Sequence, residues 1–227
     1  MDEDSRALLE FLSQYVSEGK KEAMEKVLDS RTRHLTIVLE DIYQPQNASA
    51  VVRSCDCFGV QDLHVIENEN DYTLNPRVVH GASKWVDIIS YNEGDHNSSD
   101  CFTRLKLDGY RLIGMVCEPE ARSIYELPVD NPVALVFGTE KDGISAVARE
   151  YCDELITIPM YGFTESFNIS VSAALAMSIL SQKIFNSELP WHLSEQERQE
   201  LKLRWSRKVV HRSDILEKEF LKSRKHF

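Results

Sequence analysis

The chain reads as an α/β protein with a mostly parallel sheet, helices on both faces and helical extensions at each end. Three observations lead there. Strand-length apolar runs alternate with helix-length stretches between Leu35 and Phe185, the pattern that builds βαβ units. Most of these runs are apolar at successive residues rather than at alternate ones, as strands covered on both faces are. Three of the segments carry polar clusters at or after their apolar part, which points to a site at strand ends, where open α/β sheets bind ligands.

Residues 5–29 place Leu8, Leu9, Phe11, Leu12, Tyr15, Met24, Val27 and Leu28 at helical spacing, and Gly19 is expected to divide the stretch into two helices. Leu35–Leu39, followed by acidic Glu40 and Asp41, reads as a buried strand. Pro45 breaks the chain, and Asn47 is expected to cap a helix that runs through Cys57 and stops at Gly59. Leu63–Ile66 is the next strand. Between Glu67 and Asp100, turn-rich sequence surrounds a short strand at Val86–Ser90. A helix over Cys101–Leu107 closes at Asp108-Gly109. Strands follow at Arg111–Cys117, Val133–Phe137 and Leu155–Ile158, with helices at Ile144–Cys152 and Asn168–Phe185. Leu189-Pro190-Trp191 then opens a helical tail. The expected division is an N-terminal helical extension over 1–30, an α/β body over 31–186 and a basic helical extension over 187–227.

A hydrophobic content of 42% and a charged content of 28% in 227 residues describe an ordinary globular chain. No apolar run approaches the roughly 20 residues that span a bilayer, and no membrane partner is expected. Met1-Asp2-Glu3-Asp4 is acidic where a secretory signal is basic and then apolar, so the expected location is the cytoplasm. Five cysteines, odd in number and without a C-x-x-C pair, indicate neither a disulfide framework nor a zinc site.

The net charge of −11 argues at first against a nucleic-acid partner, but it is unevenly spread. Residues 1–30 hold eight acids and four bases, and residues 31–186 hold twenty-two and twelve. Residues 187–227 hold seven acids and ten bases, all ten bases lying between Arg198 and Lys225 around Arg204-Trp205-Ser206-Arg207-Lys208. Such a tail fits a phosphate backbone. It equally fits a solvated helix with i,i+4 pairs such as Glu200 with Arg204.

The polar clusters lie in Gln46-Asn47-Ala48-Ser49-Ala50-Val51-Val52-Arg53, in Leu135-Val136-Phe137-Gly138-Thr139-Glu140-Lys141-Asp142-Gly143-Ile144-Ser145, and in Ile158-Pro159-Met160-Tyr161-Gly162-Phe163-Thr164-Glu165-Ser166-Phe167-Asn168-Ile169-Ser170. Gly138–Ser145 has the spacing of a phosphate-binding loop except that Ile144 stands where the lysine must be, and Glu140 would repel a triphosphate. That argues against an NTPase. Taken singly, Asn47 and Asn168 read as helix caps and Arg53 as a solvated charge. Caps do not explain the shared order and spacing of all three segments.

Together the segments resemble the three motifs of the SpoU/TrmH-type RNA 2′-O-methyltransferases, in the SPOUT superfamily, with Gly81-Ala82-Ser83-Lys84-Trp85 resembling a further family segment between the first two. The resemblance covers about residues 31–186. It implies a C-terminal trefoil knot, S-adenosylmethionine as methyl donor, and a homodimer with the RNA site shared between subunits. The chemistry suits the residues. A sulfonium donor carries its own activating charge, while the ribose 2′-hydroxyl must lose a proton and be held in line with the methyl carbon.

By this resemblance Arg53 either takes that proton or, since arginine normally stays charged, holds the RNA phosphate and orients the hydroxyl. Asn47 bonds Arg53 or the ribose, Glu140 positions Asn47 and Arg53, and Ser166 and Asn168 place donors around the reacting groups. Gly138 lets the backbone approach the cofactor. Ile158, Met160 and Phe167 contact it, and Met115 stands beside it where relatives often have threonine. Lys20, Lys21, Lys26, Arg31 and Arg33, with Arg204, Arg207 and Lys208 in the tail, are the expected RNA contacts. The expected substrate is tRNA, at a D-loop guanosine. The alternatives are ribosomal RNA, an anticodon-loop nucleotide, or a knotted RNA-binding module without catalysis.

Overall fold

The computed structural model describes residues 1–224; Lys225, last of the tail's bases, lies outside the described residues. Thr32–Trp191 forms one compact unit, and Met1–Arg31 with the described residues from His192 onward forms another. The first unit is built on a sheet of β1 (Leu35–Glu40), β2 (Asp62–Ile66), β3 (Asp87–Tyr91), β4 (Arg111–Met115), β5 (Arg122–Ser123), β6 (Val133–Phe137) and β7 (Glu154–Thr157). The order is β3-β2-β1-β6-β4-β7-β5, and every pairing is parallel. This is the parallel α/β sheet that the alternating runs predict.

Strand periodicity divides the core into two layers. Leu35, Ile37 and Leu39 of β1, with Val133, Leu135 and Phe137 of β6, face α3 (Pro45–Cys57) and α7 (Ile169–Phe185). Those helices contribute Val51, Val52 and Cys55, and Ala173, Ala176, Met177 and Leu180. Val38, Ala134 and Val136 face the opposite way, toward Phe102 and Leu105 of α5 (Asn97–Leu107) and Ala148 of α6 (Ala146–Tyr151). A short helix, α4 (Pro76–Val79), occupies part of the turn-rich stretch. None of the described helices is long and apolar enough to cross a membrane.

In the second unit, α1 (Glu3–Ser13) and α2 (Glu18–Leu28) are joined by α8 (Glu195–Val209) and α9 (Ser213–Arg224). Leu8, Leu12 and Val16 share a core with Leu203 and Val210, and the Phe11 and Phe220 rings stack at 5.1 Å. Arg198 joins Glu25 and Asp29 at 3.1 and 2.9 Å. A capping box, Ser194 with Glu197, starts α8.

Several local expectations move. The break between the first two helices falls at residues 14–17, and Gly19 sits inside the first turn of α2, because Ser17 takes the cap position. Asn47 is not a cap. Pro45 has the fixed φ and missing N–H that suit a first helical position, so the cap shifts back to Gln44 and Asn47 becomes a buried first-turn residue. Helix α5 starts at Asn97, four residues before the apolar signal at Cys101. Helix α3 ends as expected, at Gly59 with φ 74°, a left-handed position that suits glycine.

Candidate active site at the strand ends

The strand ends are held by two adjacent acids that sequence reasoning treated only as the end of β1. Glu40 is 2% exposed, and a carboxylate so buried must find donors. It accepts from Ser145 Oγ at 2.8 Å and Ser145 N at 3.1 Å, and from Ser98 Oγ at 2.6 Å. Asp41, at φ 54°, accepts from the backbone N–H of Asn68 and Glu69 at 2.7 and 2.9 Å. Ser145 also accepts from Ala148 N at 3.0 Å as the cap of α6. Glu40 therefore fixes the exit of the loop that follows β6. The available signal was an acid closing an otherwise apolar, fully buried strand.

That loop, residues 138–145, folds back on itself. Thr139 N donates to Gly143 O at 2.9 Å, Gly143 N returns a bond to Thr139 O at 3.1 Å, and Asp142 N donates to Thr139 Oγ1 at 2.9 Å. A Cβ on Gly138 would lie 1.9 Å from the Gly143 carbonyl oxygen. The loop's own backbone thus occupies the space a side chain would take, a second demand for glycine at a position that also lines the cavity.

The turn carries Glu140 toward the first turn of α3. Asn47 Nδ2 donates to Glu140 Oε1 at 2.9 Å and to Gln44 Oε1 at 3.3 Å. Asn168 Nδ2 donates to Asn47 Oδ1 at 3.0 Å, while Asn168 Oδ1 accepts from Ser170 N and Oγ at 2.9 and 2.6 Å. Asn168 is thus the cap of α7 and a partner of Asn47 at once. Three residues far apart in sequence form one chain of hydrogen bonds, and the donors and acceptors fix which way each amide points.

This chain borders a cavity of about 610 Å³. Its lining includes Asn47, Glu140, Ser166 and Asn168, and also Met115, Gly138, Ile158, Met160 and Phe167. Around its polar rim stand Glu118, Glu140, Asp142 and Glu165 against Lys141 and Arg149. Arg149 is paired to Glu118 at 2.6 Å. Arg53 is not brought there. It lies six residues beyond Asn47 on α3, exposed and outside the cavity lining, its side chain making no hydrogen bond or ion pair to any described residue. Glu140 therefore orients Asn47 but not Arg53 of the same chain.

The expected RNA contacts divide. Arg31 is 1% exposed with its guanidinium 5.7 Å from the Trp205 ring centre, so packing and a cation–π contact keep it from any phosphate. Arg33 is held by Asp62 at 2.8 Å and Asp87 at 3.3 Å, which spends its charge inside the α/β unit. Lys21 pairs with Glu18 and Arg207 with Glu217, each at 2.7 Å. Arg204 is half-buried, while Lys20, Lys26 and Lys208 are exposed.

The model of the SpoU rRNA Methylase family matches residues 34–178. A Borreliella burgdorferi protein named tRNA (guanosine(18)-2′-O)-methyltransferase is 40% identical over 217 residues, covering 96% of this chain and 98% of that protein. A Thermus thermophilus protein of the same name is 32% identical over 161 residues, covering 71% of this chain and 81% of its own. The crystal structure of an A. aeolicus TrmH/SpoU tRNA modifying enzyme superposes with a TM-score of 0.76 at 26% identity, over 86% of this chain and 98% of that one. The match runs through β1, the self-closing loop and α7, the elements that build the cavity, and on these grounds the chain belongs to the SpoU rRNA Methylase family.

Proposed function

We propose that the chain is an S-adenosylmethionine-dependent 2′-O-methyltransferase of tRNA, acting on the D-loop guanosine at position 18. The observation that carries this reading is that one cavity is lined both by the residues matched to cofactor contacts and by the Asn47–Glu140–Asn168 chain. The names of the Borreliella and Thermus relatives supply the nucleotide.

The cavity suits the donor in size, since sites for such ligands run roughly 300–1,000 Å³. It suits it in chemistry too, with apolar Met115, Ile158, Met160 and Phe167 beside polar Ser166 and Asn168. Bound there, S-adenosylmethionine supplies a methyl carbon already activated by its sulfonium charge. The chain's own residues do the rest. Glu140 and Asn168 hold the Asn47 amide from both sides, so it meets an incoming ribose without reorganising. Asn168 Nδ2 has a second hydrogen to offer. Arg53 keeps its charge, holds the phosphate beside the acceptor ribose and orients the hydroxyl.

The reading includes the family's trefoil knot, a cytoplasmic location and a homodimer. Two features support the dimer. Val171 and Leu175 are exposed one helical turn apart on α7, a stripe that fits a helix-to-helix contact. Arg53, exposed and outside its own cavity, is then available to the partner's site. Exposed Lys20, Lys26 and Lys208 are the proposed phosphate contacts.

The test is transfer of labelled methyl from S-adenosylmethionine to bulk tRNA and ribosomal RNA, followed by nuclease digestion and nucleoside identification. A 2′-O-methylguanosine in tRNA, lost when guanosine 18 is replaced, is the expected product. Another 2′-O-methyl nucleoside would overturn the substrate. Tight RNA binding without transfer to either RNA would overturn the enzyme.

A further inference from the structure

The α/β unit leaves five aromatic side chains exposed among the described residues, and four of them sit on two loops beside the cavity. Tyr161 is 96% exposed and Phe163 is 108% exposed relative to the reference residue. Both lie on the arc between Met160 and Glu165, and each end of that arc lines the cavity, as does half-exposed Phe167. Tyr43 is 71% exposed on the loop before α3, where its N–H lies 3.5 Å from Glu140 Oε2. The remaining one, Tyr125, belongs to the short 3₁₀ turn after β5. Large aromatics standing in water beside a cavity mark a surface built to be covered.

The surrounding charge identifies what covers it. The rim of the cavity carries four carboxylates against two cations, one of them already paired, and residues 31–186 hold ten more acids than bases. A phosphate gains little here. The faces of a nucleobase are uncharged and stack on aromatic rings whatever the base. A second copy of the chain seated on both rings would also cover the arc that borders the cavity, closing the way in for an acceptor ribose.

We propose that Tyr161 and Phe163, with Tyr43 from the loop before α3, form a stacking platform for the base of the nucleotide whose ribose enters the cavity. The platform rests on the methyltransferase reading above. It holds the acceptor nucleotide by its base beside a rim whose carboxylates do not attract its phosphate, and so adds to the hold that Arg53 has on that phosphate.

The test compares wild type with Tyr161→Ala/Phe163→Ala, Tyr161→Leu/Phe163→Leu and Tyr161→Trp/Phe163→Trp in steady-state methylation of a tRNA transcript. Cofactor affinity by calorimetry and subunit mass by sedimentation are measured on each. The alanine and leucine pairs should raise the KM for tRNA about tenfold or more, since stacking one base on an aromatic ring is worth roughly five- to 150-fold in affinity. The tryptophan pair should stay near wild type, and cofactor affinity and subunit mass should not move. An unchanged KM in the alanine pair overturns the platform while wild-type methylation keeps the methyltransferase reading. A leucine pair that behaves as wild type overturns stacking in favour of plain apolar packing. A change in subunit mass in the alanine pair assigns the rings to a second copy. Wild type that methylates no tRNA fails the underlying reading instead.

Discussion

Asn47 carries the lesson of the site at the scale of single residues. The sequence marks it twice, once as a cap and once within a motif, and the two readings compete. Pro45 decides between them, because a proline in first position pushes the cap to Gln44 and leaves the Asn47 amide for Glu140 and Asn168. The sequence shows the need for a glycine at Gly138 but not the loop closure that also demands it, which depends on where Gly143 returns in space. Glu40 was legible only as an acid. Its three hydrogen bonds give a prediction: Glu40→Ala leaves the buried Ser98 hydroxyl and the half-buried Ser145 hydroxyl and N–H without this acceptor, and should lower stability by about 2 kcal/mol. Urea denaturation measures this. A loss below about 1 kcal/mol would mean that water replaces the carboxylate.

At the scale of elements, the strands were the most legible part, because buried parallel strands are continuous apolar runs. Their ends were less so. Hydrophobicity does not report where a ladder bond stops, and β4 and β7 finish a residue or two from the apolar limits. Helix α5 hid its start because Asn97 and Ser98 are buried through hydrogen bonds rather than through apolar contact. Strand β2 also holds His64, whose ring lies 3.1 Å from the Tyr91 hydroxyl and whose pKa burial lowers to about 4. The unfolded chain takes up this proton near pH 6.5 and the folded chain only near pH 4. Stability is therefore whole above pH 6.5 and lost as pH falls toward 4, by about 2 kcal/mol at pH 5 from this group alone. Urea melts at pH 8 and pH 5 should show that loss. In His64→Phe the difference between the two pH values should shrink by the same amount, and an unaltered difference would place the acid sensitivity elsewhere.

For the whole molecule, the proposed dimer and the tail are where sequence reasoning stops. The order of motifs points to one polar site, yet Arg53 lies outside the cavity of its own chain, which no spacing argument reveals. If Arg53 serves the partner's site, Arg53→Ala alone should lower kcat about a hundredfold or more. Mixing it with Gly138→Ala, whose added Cβ breaks the loop at the cavity, should restore activity. Randomly mixed subunits give one working site per hybrid dimer, about a quarter of wild type in all. No recovery on mixing, with both variants folded by circular dichroism, would put Arg53 in the site of its own chain. The tail's charge was legible and its pairing was not, since Arg207 meets Glu217 and Arg31 meets Trp205 only in three dimensions. Lys208→Gln, on an exposed position, should weaken tRNA binding and lower its salt slope by about one; an unchanged slope removes Lys208 from the interface.

The sharing of one core by the two ends of the chain sets the order in which the protein can mature on the ribosome. At roughly 5–20 residues per second, Leu8 and Leu12 leave the exit tunnel many seconds before Leu203 and Val210 do. The α/β unit can close in that interval, its first and last residues joined by the bond from Thr32 Oγ1 to Trp191 O at 2.7 Å. Helices α1 and α2, made before the sheet, are thus among the last to find their partners, and until then their apolar stripe is what a chaperone would meet. Nascent chains arrested soon after Trp191 has emerged should resist protease across the sheet while remaining cleavable before Arg31.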